Sequence, residues 1–115
     1  VYLCGAPPVV IVRGGEKLER VSEPGQLFGF DPERFSYGHR RVALEPGDRL
    51  FVCTDGAYER KDPDEKISSR KLQRMLLQYS DGSPEESVQK LFATLQEGCD
   101  QFEDDVTLLM IDKVG

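Results

Sequence analysis

The segment Arg49-Leu50-Phe51-Val52-Cys53 constrains the fold more than any other part of the sequence. After Arg49 it is wholly apolar, which is typical of a strand in the middle of a sheet rather than of one with a solvent-facing side. The turn sequence Glu45-Pro46-Gly47-Asp48 precedes it, with proline at the position that β-turns favour. Thr54-Asp55-Gly56 follows immediately. We therefore predict a buried central strand with an aspartate and a glycine at its C-terminal end.

Further strands are predicted on both sides of this segment. A β-branched run at 9–12 and an alternating run at 17–21 are separated by a glycine-containing turn at 13–16, which predicts a hairpin. Residues 37–44 are predicted to be the first arm of a second hairpin, which the central strand completes. Residues 22–32 are rich in Pro and Gly and are predicted to be a loop. The apolar run 106–111 is predicted to be a buried strand.

Two amphipathic helices are predicted between the central strand and the last strand. The first has apolar residues at i, i+3, i+4 and i+7, Ser69 as its N-cap, and Asp81-Gly82 at its end. The second begins at Ser83-Pro84-Glu85-Glu86, which combines a capping box with proline at the first helical position. The apolar stripes are Leu72, Met75, Leu76 and Tyr79 in the first helix, and Val88, Leu91, Phe92 and Leu95 in the second. This order predicts an α+β fold: antiparallel β-sheet layers with two helices on one face.

The composition is that of one acidic globular domain of 115 residues. The formal net charge of −6 argues against a nucleic-acid partner, because proteins that bind nucleic acids normally show a basic face. The densest basic pairs, Arg40-Arg41 and Arg70-Lys71, are interpreted as solvated surface. The three cysteines form no CxxC and are interpreted as free thiols in a reducing cytosol. With no signal peptide and no long apolar run, we predict a cytoplasmic protein without a membrane partner.

Acidic residues lie next to two of the predicted strands. Asp55 ends the central strand, and Glu103-Asp104-Asp105 precedes the last one. If these strands are neighbours, their carboxylates meet at one edge of the sheet, where a hard divalent cation such as Mg or Mn would offset their repulsion. An Asp-Gly pair after a strand is also a common turn, and acidic residues before a strand are often only a solvated loop. From the residues alone, the prediction is an α+β domain with a candidate divalent metal site.

Several short motifs resemble those of bacterial PPM phosphatases of the sporulation stage II E type, which are relatives of the type-2C eukaryotic enzymes. LFVCTDGAYE at 50–59 resembles the family's LxxxTDGxxE, and EDDVTLL at 103–109 resembles its DDxTLL. GAPP at 5–8, LFG at 27–29 and LEPGDRL at 44–50 resemble its AGHPPP, PLG and LxPGDxL elements. The order and spacing of the motifs agree over the whole chain.

The resemblance implies a PPM phosphatase α-β-β-α sandwich with two Mn or Mg ions at one end. In the family, the metals polarise the phosphate and activate a bridging water that attacks phosphorus in line, without a covalent intermediate. The resemblance makes Asp55 and Asp104 the predicted catalytic, metal-binding carboxylates, and it places Gly56 with them in the metal set, at the tight turn. Three further residues are expected to orient these ligands rather than to bind metal themselves: Thr54, Glu59 and Asp105.

Two departures from the family pattern bear on activity. The family domain is roughly twice as long, on a scale of ~200 residues, and its N-terminal half carries a further Asp-Gly metal motif, within D-x-x-GHG, that this sequence lacks. The family histidine of GHPP is Ala6 here. We therefore expect residues 1–115 to be the C-terminal half of a phosphatase domain, inactive or weakly active alone. Half a sandwich leaves sheet surface uncovered, which leads to the further hypothesis of a homodimer or a strand swap.

The leading prediction is a metal-dependent serine/threonine protein phosphatase module. Its parent protein would act on phosphoserine or phosphothreonine in a regulatory phosphoprotein, often an anti-anti-sigma factor in the resembled branch. The alternative is a non-catalytic module that binds a phosphoprotein or a regulator, which the absent motif and Ala6 favour. A second alternative is an unrelated metal-dependent hydrolase that uses the same carboxylates.

Overall fold

Four strands and two helices make up the fold in a computed structural model, which describes residues 7–21, 39–59, 67–97, 102 and 104–115. The strands are β1 (Val9–Arg13), β2 (Lys17–Val21), β3 (Arg49–Cys53) and β4 (Leu108–Asp112). The helices are α1 (Ser69–Gln78) and α2 (Pro84–Glu97). The strands form one sheet in the order β2-β1-β3-β4, and every neighbouring pair is antiparallel. The predicted α+β class is therefore confirmed.

The prediction of a buried central strand is confirmed by the position of β3. It pairs with β1 on one side and with β4 on the other. Its side chains alternate between the two faces. Phe51 and Cys53 are buried under the helices, whereas Leu50 and Val52 lie on the other face and are partly buried. The neighbouring positions of β3 and β4 put Asp55 and the acidic segment before β4 at the same edge of the sheet.

The first predicted hairpin is also confirmed. β1 and β2 pair in register from Val9 opposite Val21 to Arg13 opposite Lys17. The chain turns at 14–16, where Gly14 and Gly15 have φ of 57° and 77°. Residues with a side chain rarely adopt this left-handed backbone, so the Gly-Gly pair fixes the position of the turn.

The predicted first arm of the second hairpin is wrong within the described residues. Residues 40–45 form no strand, and His39 makes only an isolated bridge. The reason is that β1 and β4 occupy both edges of β3, so β3 has no free edge for this arm. Val42 and Leu44 instead pack against the buried residues Val9, Ile11 and Val21. The turn at 46–47 forms as predicted, while the predicted loop at 22–32 lies outside the described residues.

Both helices pack on one face of the sheet, as predicted. α1 contacts β1 and β2, and α2 contacts β4. The buried residues of their stripes are Leu72, Met75 and Leu76 in α1, and Leu91 and Leu95 in α2. Fully burying a side chain of this size contributes about 1.5–3 kcal/mol, so these five residues account for much of the attachment of the helices. In the described part of the chain, neither helix has the length and apolarity needed to cross a membrane.

The helix starts follow the sequence signals closely but not completely. The predicted N-cap Ser69 is wrong, because it is already the first residue of α1. Ser68 is the cap, and its Oγ accepts a hydrogen bond from the Lys71 N–H at 3.1 Å. In α2, Pro84 is the first residue, and Ser83 Oγ accepts a hydrogen bond from the Glu86 N–H at 3.2 Å, which is one of the two hydrogen bonds of a capping box.

Arg49 joins the sheet to the helix pair at the end of β3 farthest from Asp55. Its side chain is 8% exposed and donates to the two carboxylate oxygens of Asp112 at 2.5 and 2.8 Å. It also donates to Ser87 Oγ and to the Gly82 carbonyl, each at 2.7 Å. The hydrogen bonds to Asp112 raise the pKa of Arg49, so it stays charged. These charge-assisted bonds hold the turn between α1 and α2 against β3 and β4.

Asp48 ties the turn before β3 to the first hairpin. Its carboxylate accepts hydrogen bonds from the Glu45 N–H at 2.9 Å, the Gly14 N–H at 3.2 Å and the Arg13 guanidinium at 2.7 Å. The hydrogen bond from the Glu45 N–H lowers the pKa of this carboxyl most, and the hydrogen bond from Arg13 lowers it next. The aspartate of the PGD turn therefore fixes where β3 begins relative to β1.

The sheet face opposite the helices is only partly covered. Near β1 and β2 it is buried, whereas Leu109 and Ile111 of β4 are 49% and 48% exposed. They lie opposite Val52 and Leu50 in the strand register, so all four share one apolar face. An uncovered sheet surface was the reason to expect a homodimer, which itself stays a prediction.

Candidate functional site

The residues after β3 form a short 3-10 turn that exposes Asp55. The turn spans Asp55–Ala57 and is closed by a hydrogen bond from the Ala57 N–H to the Thr54 carbonyl at 3.1 Å. The Asp55 carbonyl accepts from the N–H groups of Tyr58 and Glu59 at 2.9 and 3.1 Å. Gly56 and Ala57 are buried, whereas Asp55 and Glu59 are exposed. The backbone of Asp55 is therefore fixed while its carboxylate faces solvent.

Thr54 attaches this turn to the chain that enters β4. Its N–H donates to the Thr107 carbonyl at 3.1 Å, and its Oγ1 accepts from the Thr107 N–H at 2.9 Å. The same hydroxyl donates to the Asp105 carbonyl at 3.2 Å. Thr54 thus makes one hydrogen bond to the acidic segment, at Asp105, and two to Thr107, which directly precedes β4.

Gly56 lies against the backbone of the acidic segment. A Cβ at this position would overlap the Asp105 carbonyl and would lie 3.1 Å from the Asp104 carbonyl oxygen. Gly56 has no positive φ. Glycine is therefore required here by the close approach of two chain segments, rather than by the tight turn that the sequence suggested.

The second acidic segment is ordered by a local hydrogen bond. Asp104 Oδ1 accepts from the Asp105 N–H at 2.7 Å. Asp104 and Asp105 are both exposed. The structure therefore brings the backbones of 54–56 and 104–105 into contact, with exposed carboxylates on both sides. Glu103 and Ala6 lie outside the described residues.

Comparison with known families decides where this arrangement belongs. A family model described as Stage II sporulation protein E (SpoIIE) matches residues 1–114. The chain belongs to the SpoIIE family. It is thus a PPM-type phosphatase-related domain, as the resemblance implied. Comparisons with curated proteins and with solved structures gave no significant match.

SpoIIE membership implies a divalent metal, and the described residues include the type of ligand that such a metal prefers. Carboxylate oxygens are the ligands that Mg and Mn prefer, and Mg is often held by only one or two carboxylates while it keeps several waters. Asp55 and Asp104 offer such oxygens at one edge of the sheet. In the described part of the chain, however, no three Asp, Glu, His or Cys side chains are grouped closely enough to hold a metal ion. The donors fit part of a site rather than a complete binuclear centre.

Cys53 and Tyr58 lie beneath the exposed turn and are partners of each other. Cys53 is a free, buried thiol. Burial raises the pKa of the Cys53 thiol and the pKa of the Tyr58 hydroxyl, which hydrogen-bonds to it. Both groups stay neutral near pH 7, and a buried neutral thiol is a poor nucleophile. Neither group is therefore suited to act as a nucleophile in this SpoIIE-family chain.

A cavity of about 390 Å³ lies at the opposite end of the sheet from Asp55. Its lining includes Asp48, Arg49 and Asp112. The charged groups of these residues are already paired within the fold, Arg49 with Asp112 and Asp48 with Arg13. The candidate site is therefore the exposed end of the sheet, where β3 ends and β4 begins, and not this cavity.

Sequence reasoning missed two features near the site. Thr107 contributes both of its backbone groups to Thr54, which depends on strand pairing and has no signal in the sequence. The second feature is the position of Arg70-Lys71: the pair is exposed, as predicted, but it lies on α1, whose start is attached to the site by a hydrogen bond from the Ile67 N–H to the Tyr58 carbonyl at 3.1 Å. The absence of acidic residues from α1 was the available signal.

Proposed function

We propose that this chain carries part of the metal site of a serine/threonine protein phosphatase, with Asp55 and Asp104 as metal-binding carboxylates. The observation that supports this most directly is the contact between the two acidic segments through Thr54 and Gly56. Both segments carry exposed carboxylates at the same end of the sheet, and carboxylate oxygens are ligands that Mg and Mn prefer.

Each residue has a separate part in the proposed site. A bound Mn or Mg ion would supply Lewis-acid polarisation of the phosphate and an activated water. Asp55 and Asp104 bind the ion through their carboxylate oxygens. Thr54 holds the two segments at a fixed separation, and the Asp105 N–H orients the Asp104 carboxylate. Gly56 belongs to the proposed site because it lets the segments approach, and Glu59 is proposed to orient ligands from the end of the turn.

The proposed substrate is a regulatory phosphoprotein in a bacterial cytoplasm. Membership of the SpoIIE family supports a phosphatase-related domain. The resemblance of the TDG and DDxT motifs extends this to phosphoserine or phosphothreonine on a protein such as an anti-anti-sigma factor.

A second candidate function is a non-catalytic module that binds a phosphoprotein or a regulator. It is favoured by the finding that the described residues include no group of three metal-ligating side chains. In this case the acidic edge would remain as surface, and the chain would bind its partner without hydrolysing a phosphate ester.

Calorimetric titration with Mn, in parallel with an assay on a phosphoserine peptide, separates the two candidates. We expect Asp55→Asn and Asp104→Asn to weaken Mn binding by more than about tenfold, since even indirect partners of a metal commonly contribute that much. Asp81→Asn is the matched control, because it makes the same charge change at an exposed position in the turn after α1.

The outcomes are distinct. Mn binding that is lost in the two site variants and retained in the control supports the proposed metal site, and turnover in addition would show that residues 1–115 are active alone. Peptide binding without Mn binding or turnover supports the binding module. Equal Mn affinity in all four proteins would show that Asp55 and Asp104 are not ligands.

A further inference from the structure

The exposed side of α1 carries positive charge and no negative charge. Arg70, Lys71 and Arg74, which we call the basic triad, are all exposed, and Ser69–Gln78 contains no Asp or Glu. In the part of the chain that the structure describes, none of the three forms an ion pair. The chain as a whole has a net charge of −6. Among the residues that the structure describes, the basic triad is therefore a local concentration of positive charge on an acidic molecule.

The basic triad lies at the same end of the sheet as the candidate site. Ile67, two residues before α1, donates a hydrogen bond to the carbonyl of Tyr58, whose own N–H donates to the Asp55 carbonyl. The far end of α1 lies by the β1–β2 turn, where Ser80 Oγ donates to the Gly15 carbonyl at 3.4 Å. α1 therefore runs away from the site, and the triad occupies its first half.

The three charges are close enough together to act as one surface. Arg70 and Lys71 are in the first turn of α1. Arg74 follows one turn later, about 6 Å further along the helix axis. The opposite side of the helix is fixed by the buried residues Leu72, Met75 and Leu76, so the triad faces solvent and cannot turn towards the sheet.

We propose that the basic triad is a docking surface for an acidic segment that flanks the phosphorylated residue of the protein substrate. The proposal rests on the phosphatase function proposed above. An acidic protein that presents carboxylates at its site repels an acidic phosphoprotein, and a positive surface beside the site offsets this repulsion and steers the encounter. The triad thereby selects substrates with Asp or Glu near the phosphoserine.

The size of the surface favours a protein segment over a nucleic acid. Nucleic-acid binding normally uses an extended basic face that contacts many phosphates. Here three positive charges adjoin an edge with exposed Asp55, Glu59 and Asp104. A short acidic segment matches three charges, whereas a polynucleotide would also meet the acidic edge.

Fluorescence anisotropy with labelled peptides tests the proposal. The probes are a phosphoserine peptide with acidic flanks, its unphosphorylated form, and a phosphoserine peptide with the corresponding amides. The test variant replaces the triad with glutamate: Arg70→Glu, Lys71→Glu and Arg74→Glu. The control makes the same charge change at exposed lysines elsewhere on the surface: Lys17→Glu, Lys90→Glu and Lys113→Glu.

We expect the test variant to bind both acidic peptides about tenfold or more weakly than wild type, because steering and binding by local charge depend on sign and position. The control should stay within about twofold, since charges beyond a Debye length are largely screened. A glutamine version of the triad should give an intermediate loss, and far-UV circular dichroism should show α1 intact in each variant.

Three results would overturn the docking surface. The first is that wild type binds the acidic and the amide peptides with equal affinity. The second is that the test and control variants lose the same affinity, and the third is that wild type binds a single-stranded oligonucleotide more tightly than the acidic peptides and the triad variant does not bind it. The unphosphorylated acidic peptide separates this proposal from the phosphatase itself. Its binding reports on the triad even if Mn titration shows that Asp55 binds no metal.

Discussion

Thr54 is the residue whose side chain holds the two acidic segments together, through bonds to Asp105 and Thr107. We expect Thr54→Val to lower the free energy of unfolding by about 1–2 kcal/mol, since each of two hydrogen bonds contributes about 0.5–1.5 kcal/mol and Thr54 is exposed. We also expect weaker Mn binding, because the acidic segments would no longer be fixed. Urea denaturation and calorimetry measure the two effects.

Thr54→Ser is the matched control, because serine keeps the hydroxyl and loses only a methyl group. It should restore Mn affinity to near the wild-type value. If the valine variant binds Mn as tightly as wild type, then the hydroxyl does not position the metal-binding segments.

The reason why position 56 is a glycine could not be predicted from the sequence. The Asp-Gly pair after a strand predicts a turn, and a turn is present at Asp55–Ala57. The glycine is needed for another reason, which is the approach of the Asp104 and Asp105 carbonyls. That contact joins residues far apart in the sequence, so no local pattern could reveal it.

At the scale of the element, the start of α1 gives a direct test. Ser68 is the N-cap and Ser69 is the first helical residue. We expect Ser68→Ala to lower the free energy of unfolding by about 1 kcal/mol, the usual effect of losing a capping hydroxyl. Ser69→Ala should have little effect or stabilise the helix slightly, because alanine has the highest helix propensity. Thermal unfolding of the two variants would contradict this assignment if their order were reversed.

The elements themselves were largely predictable, because periodicity and turn chemistry are local. Alternation, Gly-Gly and Pro-Gly signals located β1, β2 and β3, and apolar stripes located α1 and α2. The predicted arm at 37–44 failed because strand pairing is not local. Val42 and Leu44 of this arm nevertheless pack on a buried cluster. The edges of β3 were already occupied by β1 and β4.

The candidate site could be predicted in position but not in detail. Asp55 and Asp104 could be selected because one follows and the other precedes an apolar run predicted to be a buried strand, although β4 is an edge strand with Leu109 and Ile111 exposed. Their roles as ligands remain predictions. The hydrogen bonds between Thr54 and Thr107 depend on which strands are neighbours. The exposure of Arg70 and Lys71 could be predicted and is confirmed, whereas their place in the fold could not, because sequence alone does not show that α1 begins beside the site.

At the scale of the whole molecule, the apolar face of Leu109 and Ile111 bears on association. Exposed apolar sheet surface favours association, and we predict that the chain forms a homodimer at ~100 µM, well above ordinary weak-association constants. Sedimentation velocity should show a dimer for wild type and a monomer for Ile111→Lys. Val114→Lys is the control, because Val114 is exposed but lies beyond β4. A monomeric wild type would contradict the prediction.

The strong polar contacts of Arg49, Asp48 and Asp112 all lie at one end of the sheet. At the other end, hydrogen bonds between Thr54 and Thr107, both of which are exposed, join the turn after β3 to the chain that enters β4. Because hydrogen bonds that are exposed to solvent open more readily, the contact between Thr54 and Thr107 should open more often than the Arg49 end. Such an opening would separate the segments that carry Asp55 and Asp104. The apparent affinity for a metal then scales with the fraction of molecules in which this end is closed.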